Sequence, residues 1–248
     1  MADGKHRNDF YGDTGTDKDS KPAIPAATVV LLKDLETGPE VLMLHRTSKV
    51  NFGGMWVFPG GRIDPEDYPG DGDLNLAARN AAARETMEEA SITVHTKEFV
   101  WFAHWTPPAI RSVRYTTWFF ATAIEDHETI RVDGSEIQAH AWIKPSEAIE
   151  RHAKGEIDLV APTWVTLYQL SLYDDSADIL KKLRANPPRI YNTHLGTNSA
   201  GISTAMWEGD SGYEDTDPDA DGPTHRLLMP KDGFIFEHTA VDLSLIHI

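Results

Sequence analysis

Arg84-Glu85-Thr86-Met87-Glu88-Glu89-Ala90-Ser91-Ile92 is the stretch on which the fold turns. It follows Ala77-Ala78-Arg79-Asn80-Ala81-Ala82-Ala83, and no Gly or Pro interrupts the chain from Leu74 to Ile92. Alanine is the best helix former, so the whole run is expected to be one helix. At about 100° per residue, Glu89 lies roughly 40° from Glu85 on one side and Glu88 about 60° on the other. Three carboxylates therefore share one face. Like charges at these spacings repel unless something cationic meets them. Arg84 borders the patch but does not balance three glutamates. A hard divalent cation such as Mg²⁺, which prefers carboxylate oxygen, would. The alternative is a solvated acidic helix face.

Upstream, Val57-Phe58-Pro59-Gly60-Gly61 is a short apolar strand ending in a Pro-Gly-Gly turn. Paired glycines let backbone approach a ligand closely, which suits a loop that completes a metal site. FPGG followed by RETMEEASI resembles the Nudix hydrolases, whose box reads G-x5-E-x7-R-E-U-x-E-E-x-G-U with U aliphatic. Arg84, Glu85, Glu88, Glu89 and Ile92 fit it, while Thr86 stands at an aliphatic position and Ser91 at the glycine. Gly61 and Arg84 are 23 positions apart against 14 in the box, an insertion of nine. Leu76 stands where the first box glutamate belongs, leaving Asp64, Glu66, Asp67 and Asp73 as stand-ins. The resemblance implies an α/β fold: a Nudix α/β/α sandwich with a mixed sheet and a C-terminal helical extension. It also implies a Mg²⁺ site, open to Mn²⁺, made by Glu85, Glu88, Glu89 and a backbone carbonyl near Gly60.

Two further stretches resemble parts of the family. Arg46-Thr47 and Gly54 before FPGG partly match a signature of the coenzyme A-cleaving Nudix enzymes, with Val50 at its second arginine and Lys49 beside it. W-T-P at 105–107, then Arg114-Tyr115-Thr116-Thr117 and Phe119-Phe120, is similar to a branch with an enlarged box and a helical extension that includes acyl-coenzyme A diphosphatases. Arg46, Arg114, Gly60 and Gly61 are the substrate-binding candidates this implies. Arg46 also reads as an ordinary strand-end arginine, and Arg114 as the partner of an acidic neighbour. Glu136, which opens the strand expected over 136–143, is the candidate that the resemblance implies for a base or metal ligand outside the box, against a surface strand residue. Arg84 is expected to orient a box glutamate. The base is left open among Glu85, a metal-bound hydroxide assisted by Glu89, and Glu136.

Composition narrows the field. The chain has 248 residues, 40% of them hydrophobic with seven Trp, enough for a large core. Its net charge of −16 lacks the basic footprint of nucleic-acid binding. A small nucleotide remains the expected partner. With no cysteine, disulfides, thiolate sites and cysteine nucleophiles are excluded. No apolar run reaches the length of a membrane span, and the expected location is the cytoplasm.

The expected organisation is a disordered tail over residues 1–22, a Nudix domain over 23–154, and a helical and irregular extension over 155–242 packed on the core. Leu243-Ser244-Leu245-Ile246-His247-Ile248 resembles a translated sequencing adapter and is expected to be foreign to the chain. Ala26–Leu32 and Val41–Arg46 read as a hairpin, and the insertion 64–73 as an acidic loop. The aromatics at 101, 102, 105, 118, 119 and 120 read as core. Ile137, Ala139, Ala141 and Ile143 alternate on one face, and Ser146 reads as a helix cap. In the extension, 162–183 reads as helical, with Ser176 open to starting a separate helix, and it packs on the core, caps the pocket or forms a homodimer surface. Residues 208–221 read as a mobile acidic loop, followed by a hairpin across Pro230-Lys231-Asp232-Gly233. The expected activity is hydrolysis of a diphosphate joining a nucleoside to a second group. Coenzyme A or an acyl-coenzyme A leads; ADP-ribose, NADH or a nucleotide sugar follows; a non-catalytic nucleotide-binding module is the alternative of a different class.

Overall fold

The computed structural model describes residues 22–47, 53–109, 114–124, 130–132 and 134–241. Nearly all of the expected tail, the final residues 242–248, and Lys49 and Val50 lie outside them. Strands β1 (Ile24–Leu35) and β2 (Gly38–Arg46) form the expected hairpin. β1 is buried over a continuous apolar run because both faces of the sheet are covered. Its side chains alternate: Ala27, Val29 and Leu31 enter one core, Val30 and Leu32 the other.

The large sheet is mixed. Short β3 (Trp56–Val57) and β4 (Gly60–Arg62) pair with β2 and β1. β5 (Val100–Thr106), β6 (Tyr115–Ala123) and β7 (Ile137–Ile143) continue it, with β6 parallel to β1, β5 antiparallel to β6, and β7 along β2. Helix α1 (Leu74–Ala90) covers one face through five buried alanines, whose lack of bulk brings its backbone close to β1 and β4. On the other face lie α2 (Pro145–Ala153), α3 (Ala161–Leu170) and α4 (Ser176–Ala185). This is the α/β/α sandwich expected from the sequence.

Several local details differ from expectation. α2 is capped by Lys144, with Pro145 at the first helical position, so Ser146 sits inside the helix. Ile137 and Ile143 enter opposite cores, because a register shift opposite His45 and Arg46 breaks the alternation of β7. The expected aromatic core is present, with only Trp101 half-buried. Thr86, at the box's aliphatic position, is fully buried and donates from its hydroxyl to the Ala82 carbonyl, 2.7 Å away. Ser91 closes α1 at φ 59°, the left-handed conformation in which the family's glycine pays no steric cost.

The extension has its two helices and also five strands that its polar sequence hides. β8 (Arg189–Asn192) joins the large sheet alongside β5. β9 (His194–Thr197), β10 (Ser203–Met206), β11 (Arg226–Leu228) and β12 (Ile235–Glu237) form a second, antiparallel sheet that includes the expected hairpin. The acidic stretch 208–221 is not a loose loop. It folds around Asp210, which is buried and bound by Arg226 through Nε at 2.7 Å and Nη2 at 2.8 Å. The backbone N–H groups of Gly212 and His225 donate to the same carboxylate, and Arg226 also donates to the Pro218 carbonyl.

Breaking a buried pair by removing one partner strands the other charge. Asp210→Ala is expected to destabilise the protein by about 3–5 kcal/mol, read as a lowered midpoint of urea unfolding. A loss below about 1 kcal/mol would show that Arg226 finds solvent instead.

Candidate active site

The Pro59-Gly60-Gly61 turn is fastened to β1. Thr28 donates from its hydroxyl to the Pro59 carbonyl at 2.6 Å, and the Val29 N–H donates to the same oxygen at 3.0 Å. Both glycines are needed for closeness. Gly60 stands at φ 155°, and a Cβ there would meet the Ala27 carbonyl; a Cβ on Gly61 would meet the Glu85 carboxylate. The turn thus lies directly against the acidic face of α1.

Glu89 is the innermost carboxylate, 5% exposed. It accepts the Gly60 N–H at 3.0 Å on one oxygen and Arg46 Nη1 at 3.2 Å on the other. Arg46 reaches on to Glu136 at 2.6 Å through Nη2, while its buried Nε has no partner. Arg84 binds Glu85 at 2.9 Å, Glu88 at 3.4 Å and the Arg62 carbonyl at 3.0 Å. It also makes two bonds to Asp67, at 2.9 and 3.1 Å. Of the four stand-ins for the missing box glutamate, Asp67 is therefore the one that grips the box arginine from closest range, with Asp64 at 3.8 Å. The insertion can do this because it curls into a 3-10 turn at Pro65–Asp67. Its buried Asp67 accepts from the Asp64 N–H, and the Asp67 carbonyl accepts from Asn80 of α1.

Six carboxylates and three guanidiniums meet here in two linked groups: Arg46 with Glu89 and Glu136, and Arg62 and Arg84 with Asp64, Asp67, Glu85 and Glu88. With every group ionised, the surplus is three negative charges. Burial pushes the Glu89 carboxyl up to about 8, against the lowering pull of the Gly60 N–H and Arg46. Burial raises Glu85 as well, with Arg84 opposing. A carboxylate that is costly to ionise in place, pressed against backbone with no Cβ in the way, is a chemically fitting donor for a divalent cation. As the side chains stand, no three acidic or histidine groups among the described residues are gathered as a ready metal site. Arg46 and Arg84 occupy the carboxylates instead.

These groups open into a cleft of about 900 Å³. Every substrate and metal candidate from the sequence lines it: Arg46, Gly60, Gly61, Arg84, Glu85, Glu88, Glu89, Arg114 and Glu136. Arg114 has the Pro107 carbonyl at 3.4 Å, and Glu136 is about half exposed. Sequence reasoning missed the opposite wall: Val160–Thr163 at the start of α3, Thr193 after β8, and Trp207 after β10. No motif marks them, because they arrive from three separate parts of the extension.

With this geometry in hand, the likeness to known proteins is specific. The sequence model of the NUDIX domain matches residues 23–170, more than half of the chain, and the chain belongs to this family. It is a Nudix hydrolase, a class acting on pyrophosphate bonds in nucleoside diphosphates linked to another group. It is 24% identical to nudix hydrolase 7 of Caenorhabditis elegans over 226 residues, 77% of this chain and 74% of that protein. It is 26% identical to the CTP pyrophosphohydrolase of Escherichia coli K12 over 116 residues, 47% of this chain and 75% of that one. A NUDIX hydrolase structure from Alicyclobacillus acidocaldarius superposes with a TM-score of 0.58 at 22% identity, covering 67% of this chain and 99% of the other. That likeness is one of fold. No helix among the described residues is long and apolar enough to cross a membrane.

The raised Glu89 carboxyl has a consequence for stability. An ordinary glutamate titrates at 4.5, and Glu89 at about 8, so over that interval the folded chain holds a proton the unfolded chain releases. Metal-free stability therefore falls as pH rises from about 4.5 through 8. Glu89→Gln cannot ionise and is expected to remove this part of the slope. In metal-free buffer the variant should melt above wild type at about pH 8.5 and close to it at about pH 4.5. Parallel melting curves across that range would contradict the assignment.

Proposed function

We propose that this Nudix hydrolase cleaves the diphosphate of coenzyme A or an acyl-coenzyme A, using Mg²⁺, or Mn²⁺ in its place. The observation that carries the reading is the cleft itself. It joins the carboxylate and guanidinium network to a wall with no ionisable side chain, as a substrate with a diphosphate on one side and a long neutral arm on the other requires. The sequence supports it through Arg46-Thr47, Gly54 and FPGG, and through Trp105-Thr106-Pro107 with Arg114-Tyr115-Thr116-Thr117.

In this reading Glu85, Glu88, Glu89 and the backbone carbonyl at Gly60 hold the metal. Bound there, it would neutralise diphosphate charge and lower the pKa of a coordinated water. Asp67 fixes Arg84 from below, and Arg84 fixes Glu85 for its task through a charge-assisted bond. Arg46 and Arg114, which both line the cleft, meet phosphate oxygens. Burial raises the Glu89 carboxyl to about 8 and raises that of Glu85 as well, so each takes up a proton more readily than an ordinary glutamate. Glu136 serves as base only when Arg46 releases it. The E. coli relative is named for CTP, so nucleotide substrates belong in the comparison, with ADP-ribose, NADH and nucleotide sugars.

The test is a substrate panel with purified protein and Mg²⁺, products separated by chromatography. Wild type is expected to release 3′,5′-ADP from coenzyme A. Glu89→Gln is expected to lose at least a hundredfold in kcat, about 3 kcal/mol of barrier. Preferred cleavage of CTP, ADP-ribose or NADH would overturn the coenzyme A reading, while leaving the Nudix chemistry in place.

A further inference from the structure

The cleft spans two layers of the sandwich. Its charged residues come from β2, β4, the insertion that follows β4, α1 and the segments leading into β6 and β7. Its other wall belongs to the layer in which α2, α3, α4 and the second sheet pack. From the extension, the cleft is lined by Val160, Ala161, Pro162, Thr163, Thr193 and Trp207, none of them ionisable. The diphosphate chemistry above uses none of these residues.

We propose that this wall is the subsite for the group on the far side of the diphosphate, and that it selects an uncharged aliphatic chain bearing amides or hydroxyls. The inference rests on the diphosphatase reading and names the part of the chain that sets its specificity. Three observations carry it. First, a charged group would be left unpaired against this wall, which is costly away from water. Second, the aromatic rings behind the wall offer no stacking platform. Trp105 is stacked on Tyr191 with centroids 3.7 Å apart and planes 3° from parallel, and it is only 3% exposed. Trp207 is fully buried, edge-on to both rings. A planar base or nicotinamide would need an open ring face. Third, what the wall presents is the Pro162 ring and small side chains, with the hydroxyls of Thr163 and Thr193. Thr193 is held in place by Trp207, whose indole N–H donates to its hydroxyl at 3.1 Å. Aliphatic surface with two hydroxyls, that of Thr193 fixed, suits a chain of methylenes and amides.

The wall is rigid because the second sheet and α3 share one apolar core with β5 and β6. The start of α3 is tied to the box side as well: Trp56 donates its backbone N–H to the Asp158 carbonyl at 2.9 Å. The extension is therefore a fixed wall of the site.

Three substrates that share an ADP half test this: dephospho-coenzyme A, ADP-ribose and the methyl ester of ADP, assayed with Mg²⁺. Wild type is expected to favour dephospho-coenzyme A over both others by at least tenfold in kcat/KM. Pro162→Trp, at a partly exposed position where helix α3 begins, narrows the channel and is expected to cut that preference at least tenfold. Thr163→Val keeps the shape, removes one hydroxyl, and is expected to cut it about threefold to tenfold; it serves if the bulkier variant does not fold. Binding of 4′-phosphopantetheine and of ribose 5-phosphate, measured by calorimetry, should show the same change in preference. A wild type that prefers ADP-ribose or the methyl ester, or preferences unchanged in folded variants of both kinds, would overturn the subsite. If wild type hydrolyses none of the three, the diphosphatase reading fails first and takes the subsite with it, an outcome distinct from altered preference.

Discussion

Glu89 is a carboxylate placed where water scarcely reaches, and much of the site is arranged around that fact. The Gly60 N–H and Arg46 lower the cost of its charge, and burial still leaves the carboxyl at about 8. To bring the Gly60 N–H within reach, the turn must lie flat against α1, which excludes a Cβ at Gly61. To keep α1 that close, the helix needs alanines on its sheet-facing side. A single buried acid thus links the glycines of the turn, the alanines of the helix and the arginine at the end of β2. Under the proposed function, Arg46, which holds Glu89 here, is also a cation that the diphosphate would meet.

What was legible in the sequence was what has a short-range signature. The helix from Leu74, expected to reach Ile92 and ending at Ala90, the β1–β2 hairpin and the turn at 59–61 follow from composition and spacing, and the box residues fall where their periodicity places them. Asp67 was visible only as one of four acids, because its selection depends on how the insertion curls back to Arg84 from 17 positions upstream. Ile137 and Ile143 defied simple alternation because a bulge is a property of the strand pair. Ser91 and Thr86, departures from the family box, are accommodated locally: one by a left-handed cap, the other by a bond back along the helix.

The extension was the least legible part. Its strands are three or four residues long, and its acid-rich stretch has the composition of a solvated loop. The signal that could have found its order is the pairing of one acid, Asp210, with the arginine that opens β11, separated by 16 positions. Nothing local marks Asp210 among the seven acidic residues of 208–221. Yet this ordered sheet carries Trp207 and supports Thr193, so the shape of the cleft depends on a region that reads as surface. In this family member, chemistry is encoded in one compact motif, while the far wall of the cleft is assembled from distant pieces.

The most direct measurement of the central claim is a Mn²⁺ titration of the metal-stripped protein, following free ion by electron paramagnetic resonance, for wild type and Glu89→Gln. The buried carboxylate, poorly satisfied by arginine alone, predicts at least one site in wild type that tightens as pH rises toward about 8 and is weakened at least tenfold in the variant. Equal affinity in the two proteins, or none in either, would contradict the view that this acid is buried in order to hold a cation.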